Sequence, residues 1–262
     1  MPELPEVETT RVGIEPHILK RSIATIRVRN GSLRYPVPKS LARKAKGQTI
    51  HGVRRRSKYL ILDLDDHKLL IHLGMSGSLR FYPAGTAPTR PGKHDHIDLV
   101  LDNGGLLRYH DPRRFGLWLN YEEGDDQHRL LHHLGPEPLS RQFSYRTFKD
   151  KAAKRRIPVK AFIMDAKVVV GVGNIYAAES LFMSNISPLR PANSVTADEF
   201  KLLVKNIKKV LRRSIKQGGT TLNDFVGSDG NPGYFSQVLN VYGRDNMPCK
   251  RCSGTIKRII QN

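Results

Sequence analysis

The chain opens Met1-Pro2-Glu3, and its second residue is the first that could do covalent chemistry. Methionine before proline is readily removed during maturation, which leaves Pro2 with a free secondary amine. Such an amine attacks a carbonyl-like carbon and gives an iminium that is cationic without needing a proton, so it is a good electron sink. A free terminal amine titrates near about 8, and the positive end of a following helix lowers that value, leaving more neutral nucleophile. Glu3, next to it, is a candidate for moving protons to a leaving group. Other residue groups point to anions. Gly171-Val172-Gly173-Asn174 lets backbone amides approach phosphate just ahead of a helix. Basic runs lie at 54–58, 154–160 and 205–213.

The charge balance supports a polyanionic partner. Forty-four Lys and Arg against 24 Asp and Glu leave +20, which suits nucleic acid or an anionic membrane. No apolar run approaches the roughly 20 residues that span a bilayer, so nucleic acid is favoured. The opening residues contain no basic segment followed by an apolar core, so no secretory signal is expected. Cys249 and Cys252 are the only cysteines, too few for a disulfide framework. A cytoplasmic, nucleoid-associated, monomeric protein is the expectation.

These residues need elements to hold them, and 262 residues allow two compact domains. From about residue 22 to 120 the apolar residues alternate with period two, as in Tyr59 to Leu64, Leu69 to Leu73, Ile97 to Leu101 and Leu106 to Tyr109. Asp65-Asp66-His67 and Asn103-Gly104-Gly105 read as hairpin turns between such strands. A short helix should precede this antiparallel β sandwich, because Pro5 suits a first helical turn and Glu6 and Glu8 suit its positive end. After Pro138 the period becomes helical. Thr196 and Glu199 form a capping box ahead of Phe200, Leu203, Val204, Ile207 and Leu211, and Gly218-Gly219 ends that helix. Strand-like residues follow around Val238 to Tyr242.

The string Pro2-Glu3-Leu4-Pro5-Glu6-Val7-Glu8-Thr9 resembles the opening of the bacterial formamidopyrimidine-DNA glycosylases, also called 8-oxoguanine DNA glycosylases. The resemblance continues in His72-Leu73-Gly74-Met75-Ser76-Gly77, Lys93-His94-Asp95-His96, Asp111-Pro112-Arg113-Arg114-Phe115-Gly116 and His133-Leu134-Gly135-Pro136-Glu137-Pro138. It runs on through Val170 to Tyr176, Gly218 to Leu222 and Val241 to Arg244. These blocks are co-linear over essentially the whole chain. Leu4 favours the purine-specific branch over the endonuclease VIII type, which typically opens Pro-Glu-Gly-Pro-Glu.

The resemblance implies an α+β fold: the β sandwich over 1–135, a linker over 136–150, a helix-two-turns-helix DNA-binding domain over 151–237, and a partial zinc-type β hairpin over 238–262. It implies an enzyme that excises oxidised purines from double-stranded DNA and then nicks the backbone. Pro2 matches the nucleophile, Glu3 the acid, Lys58 a lysine used in β-elimination, and Glu6 a carboxylate lining the base pocket. Excision needs the base out of the stack, which leaves a hole. Met75, Arg113 and Phe115 match its fillers, with Arg113 also facing the orphaned cytosine. His94 and Asn174 match phosphate contacts, the family lysine in the basic run after the linker falls on Arg155, and Lys160 is a further candidate for holding phosphate. The loop 226–234 matches a cover over the flipped base.

At its end the chain departs from the pattern. The family's zinc hairpin uses two Cys-x-x-Cys pairs and an arginine just before the second. Cys249 and Cys252 supply one pair, a zinc half site, and two thiolates fall short of the four ligands of a tetrahedral site. Either the sequence is a shortened version of a longer chain or the protein lacks zinc. Poor zinc retention, a mobile segment after Val241 and impaired strand cleavage are therefore expected. Alternatives left open are a non-catalytic damaged-DNA binder, an RNA-binding protein, and an oxidised-pyrimidine glycosylase of the endonuclease VIII type.

Overall fold

The computed structural model describes residues 2–219 and 239–261, and the expected base-covering loop at 226–234 lies outside them. The chain divides into two compact units, Met1–His133 with Gln217–Tyr234, and Leu134–Lys216 with Phe235–Asn262.

In the first unit, helix α1 (Leu4–Ile18) precedes eight strands. They are β1 (Ile23–Val28), β2 (Gly52–Arg56), β3 (Tyr59–Asp63), β4 (Lys68–His72), β5 (Ser78–Tyr82), β6 (Asp95–Leu101), β7 (Leu106–His110) and β8 (Leu117–Tyr121), with a short helix α2 (Leu41–Ala45) between β1 and β2. They form two antiparallel four-stranded sheets, ordered β1-β6-β7-β5 and β2-β3-β4-β8. One core joins them: Leu60, Leu62 and Ile71 from one sheet, Ile97, Leu99 and Leu107 from the other, and Val7, Ile14 and Ile18 from α1. The period-two runs thus form strands because alternate side chains reach this core. The opening helix is longer than expected, at 15 residues. Pro16 removes one i→i−4 hydrogen bond near its end, and burial of Leu4, Val7, Ile14 and Ile18 outweighs that loss and the weak local propensity.

The second unit contains α3 (Tyr145–Ala152), α4 (Val159–Met164), α5 (Asn174–Met183) and α6 (Ala197–Lys216). α3 occupies the last residues of the segment expected to be linker. Ser144 and Thr147 cap it reciprocally, and Phe148 is buried against Phe143, Phe162 and Phe200 at 5.0, 5.0 and 5.4 Å between ring centroids. The capping box at α6 forms as the sequence indicates: Thr196 N–H donates to Glu199 at 2.8 Å, and Glu199 N–H to Thr196 Oγ1 at 3.3 Å.

The terminal segment differs from expectation. Residues 239–242 form no strand, because buried Glu179 on α5 takes their amides. Its carboxylate accepts the N–H groups of Asn240, Val241 and Tyr242 at 2.8 to 3.0 Å, which withdraws these three consecutive donors from a ladder. The segment after Val241, expected to be loose, makes contacts within this unit. Arg251 donates to Asn185 Oδ1 at 2.7 Å and lies 4.4 Å over the Phe182 ring, and Gln261 donates to Pro188 O at 3.0 Å. Of the expected hairpin only one bridge forms among the described residues, Pro248 to Thr255.

Candidate active site and nucleic-acid interface

Pro2 and Glu3 sit at the N-terminus of α1, and both are buried. Glu3 and Glu6 cap the helix reciprocally, with the Glu3 N–H donating to Glu6 Oε2 at 2.8 Å. The capping satisfies first-turn amides and fixes where the chain enters the helix. Any group at Pro2 therefore meets the positive end of a helix dipole. Gly219 lies against this turn at φ +81°, and a Cβ there would come within 3.3 Å of the Glu6 side chain. A residue with a side chain would be strained in that conformation and would crowd Glu6. In the sequence Gly218-Gly219 marks a helix end and opens a motif block, and neither feature reveals this contact.

Lys58 occupies the two-residue turn between β2 and β3, where Arg56 pairs with Tyr59, and Ser57 turns the chain at φ +57°. This turn is tied to α1. The Arg55 guanidinium donates to Ser57 O at 2.8 Å and to Glu8 Oε2 at 2.9 Å. Arg11 reinforces the junction, donating to Glu8 Oε1 at 2.9 Å and to Val53 O at 3.3 Å. Burial pushes the Glu8 carboxyl up, but the two guanidiniums outweigh it and hold it below the usual carboxylate range. The helix that carries Pro2 and the turn that carries Lys58 thus share a charged bracket. On the partner strand, burial and then the charges of Lys58 and Arg34 push His72 down to about 4. Its neutral ring accepts the Gly74 N–H through Nδ1 at 2.8 Å and so fixes the start of the turn that carries Met75.

Met75, Arg113 and Phe115 come together on two interlocked loops of the same unit. Met75 is 36% exposed and Phe115 45%, an exposed apolar pair of the kind that marks a binding surface. The Arg113 guanidinium lies 4.9 Å over the Phe115 ring. Gly74, at φ +68°, approaches the other loop so closely that a Cβ would stand 2.5 Å from Gly116 N. Buried Asp111 is the hub. It accepts from Ser76 Oγ at 3.0 Å, Tyr109 Oη at 3.0 Å, Gly116 N at 2.9 Å and Arg113 N at 3.3 Å. One carboxylate thus sets both the Met75 turn and the Arg113–Phe115 loop. Its partners are up to 35 residues away, so no local pattern could reveal the role. His94 is half-buried just before β6, and its carbonyl accepts the Asp111 N–H at 2.9 Å.

The remaining candidates lie on the second unit. Asn174 is the first residue of α5, preceded by Gly171 at φ +77° and by Gly173 as N-cap. Lys160 stands in the first turn of α4. Arg155 follows α3 and is half exposed, and among the described residues its guanidinium makes only a 4.0 Å contact, to Asp165.

Cys249 and Cys252 lie on a tight turn in which Cys249 N–H donates to Gly254 O at 2.7 Å and Arg251 N–H to Cys249 Sγ at 3.4 Å. Amides directed at one sulfur and two thiols on one turn are what one half of a structural zinc site needs. Among the described residues no group of three or more His, Cys, Asp or Glu could hold a metal ion. The described residues therefore do not fit a complete zinc site.

The chain matches the formamidopyrimidine-DNA glycosylase N-terminal domain over residues 1–118 and the H2TH domain of the same proteins over residues 134–226. It is 53% identical to the formamidopyrimidine-DNA glycosylase of Hydrogenovibrio crunogenus, covering 100% of this chain and 92% of that protein. It is 55% identical to that of Teredinibacter turnerae over 97% of this chain and 92% of the relative. The MutM (Fpg) protein of Thermus thermophilus superimposes with a TM-score of 0.88 at 38% identity, over 99% of this chain and 94% of the other. A variant of Lactococcus lactis Fpg, solved with Fapy-dG-containing DNA, gives 0.90 at 32% identity over 98% and 94%.

Proposed function

The chain belongs to the formamidopyrimidine-DNA glycosylase family, and we infer that its buried N-terminal proline is the nucleophile of a base-excision enzyme. The protein is a bifunctional glycosylase and AP lyase that removes oxidised purines from DNA. The observation that carries the residue assignment is the bracket of Glu8, Arg11 and Arg55, which joins α1, the helix that starts just after Pro2 and Glu3, to the turn of Lys58.

Once Met1 is removed, the Pro2 amine attacks C1′ of the damaged nucleotide. The bond to the base breaks, and the base leaves with the electron pair and takes a proton. The Pro2 nitrogen gives up its own proton, the C1′–O4′ bond opens with O4′ taking a proton, and the ring-opened sugar stays on Pro2 as an iminium. Glu3 serves as the acid for this departure. Lys58 assists the following β-elimination, in which loss of a C2′ proton expels the 3′ phosphate, and a second elimination expels the 5′ phosphate. Met75, Arg113 and Phe115 fill the space of the flipped nucleotide, Glu6 borders the base, and His94, Arg155, Lys160 and Asn174 hold phosphates. The enzyme works as a monomer on double-stranded DNA in the bacterial cytoplasm, at the nucleoid. No described helix is long and apolar enough to cross a membrane. Structural zinc belongs to the family. Here Cys249 and Cys252 would give two thiolates, and further donors would have to come from elsewhere. Relatives matched over nearly the whole chain are formamidopyrimidine-DNA glycosylases, which disfavours both a non-catalytic binder and a pyrimidine-specific enzyme.

The assay is single-turnover nicking of duplex carrying 8-oxoguanine opposite cytosine. The lesion strand should be cut while the undamaged duplex stays intact. Equal, negligible cutting of both would reject the reading. Two variants test the roles. Arg55→Gln should slow cleavage of a preformed abasic site roughly tenfold, because small misplacements of a reacting group are costly, while base loss changes less. Equal slowing of the two steps would count against a role through Lys58. Arg113→Ala should erode the preference for cytosine opposite the lesion more than it weakens binding, since base-edge contacts carry sequence information and phosphate contacts position the protein. Equal changes opposite cytosine and adenine would remove Arg113 as the reader.

A further inference from the structure

We propose that the outward face of α6 is an auxiliary track for DNA phosphates, additional to Arg155, Lys160 and Asn174, that holds duplex non-specifically. The inference rests on the reading of the protein as a DNA enzyme and extends it to a surface outside the candidate site. α6 carries seven bases and two acids, and both acids, Asp198 and Glu199, stand in the first turn. Both are engaged there. Asp198 pairs with Lys201 at 2.8 Å, while Glu199 takes the Arg190 guanidinium and caps Thr196. No acid follows on the helix.

At about 3.6 residues per turn, Lys205, Lys209, Arg212, Arg213 and Lys216 fall within one arc, and all five are exposed. The opposite arc is Phe200, Leu203, Val204, Ile207, Val210, Leu211 and Ser214, all buried, so the helix cannot turn its charges elsewhere. Among the described residues none of the five is in an ion pair, whereas other surface bases are matched: Lys44 with Glu122, and Arg54 with Asp63 and Asp125. Lys205 with Lys209, Lys209 with Arg213, and Arg212 with Lys216 are like charges four residues apart, an arrangement that destabilises a helix. Lys208, at the edge of the arc, feels it. Burial and then the charge of Arg212 lower its pKa, and its amine turns to Ser140 O at 3.0 Å.

A row of uncompensated cations on a rigid face lowers its own free energy by meeting a regular row of anions. From Lys205 to Lys216 the row runs about 16 Å at 1.5 Å per residue, and B-DNA of that length carries about ten phosphate charges. A membrane suits the face less well. Interfacial helices insert an apolar side, and the apolar side of α6 is consumed by the core of its own unit.

The test uses the full chain with Lys205→Gln, Lys209→Gln, Arg212→Gln, Arg213→Gln and Lys216→Gln combined. Affinity for undamaged duplex is measured between low and moderate salt. Each lost phosphate contact should reduce the slope of log K against log salt by about 0.9, so three contacts reduce it by about 2.7. The melting temperature should not fall, because like charges are removed. If the fivefold variant fails to fold, Lys205→Gln with Lys209→Gln should still flatten the slope by about 1.8. An unchanged slope in a folded variant overturns the proposal. So does a variant that loses affinity for anionic phospholipid vesicles and keeps it for DNA. Excision by the unaltered protein reads the parent assignment separately.

Discussion

Pro2→Gly should abolish excision of 8-oxoguanine, with a fall of about a thousandfold or more in the single-turnover rate, while affinity for duplex stays within a few-fold. The secondary amine gives an iminium that is already cationic, and a primary amine gives a neutral imine that must first find a proton. The site also places position 2 in a buried setting directly ahead of the capped end of α1, so a substitute amine without the pyrrolidine ring loses its fixed approach. Binding survives because the bases proposed to hold phosphate lie elsewhere. Retention of Met1 should act in the same way, since an amide nitrogen at Pro2 has no lone pair for attack. Rapid-quench excision and fluorescence anisotropy on the same samples separate the two effects. A Pro2→Gly protein that cuts at the normal rate would remove Pro2 from the mechanism.

Asp111→Ala should be the most damaging single change outside the nucleophile. The carboxylate is fully buried and accepts two side-chain hydroxyls and two backbone amides. Removing a buried acceptor leaves its donors unsatisfied, at about 1–3 kcal/mol for each group that finds no substitute. The total should be at least about 3 kcal/mol. Burial, and then the Asp111 charge, raises the Tyr109 pKa, so its hydroxyl stays protonated and needs an acceptor at every working pH. Because the same oxygens hold the Met75 turn and the Arg113–Phe115 loop, the loss should reach function. The variant should excise slowly and show little preference for the opposite base at temperatures where it remains folded. Thermal unfolding together with opposite-base discrimination measures both. A variant with normal discrimination and reduced stability would leave Asp111 a purely structural residue.

What could be read in the sequence was local or carried in motifs. Period-two alternation located the strands at 59–64 and 97–101 because one face of each meets the shared core. The box of Thr196 and Glu199 spans three residues, so its partners are visible side by side. The proposed roles of Pro2, Glu3 and Lys58 rest on the chemistry of the opening residues and on motif blocks rather than on periodicity. What stayed hidden depends on partners brought together by folding. Arg55 meets Glu8 across 47 residues, and Glu179 takes the amides of 240–242 from 61 residues away or more. That capture is why strand-like residues near 240 form no strand, a result that side-chain pattern cannot encode. The helical stretch Tyr145–Ala152 was obscured for a similar reason, since its Phe148 is fixed by aromatic residues before and well after it.

The measurement that bears on the central assignment is borohydride reduction during reaction with duplex carrying 8-oxoguanine opposite cytosine. It is followed by proteolysis and mass spectrometry of the trapped adduct. The Schiff-base mechanism predicts a stoichiometric covalent complex with the sugar on the N-terminal peptide that begins at Pro2, lost in Pro2→Gly. Absence of a trapped complex while the lesion strand is being cut, or an adduct mapped to Lys58, would contradict it.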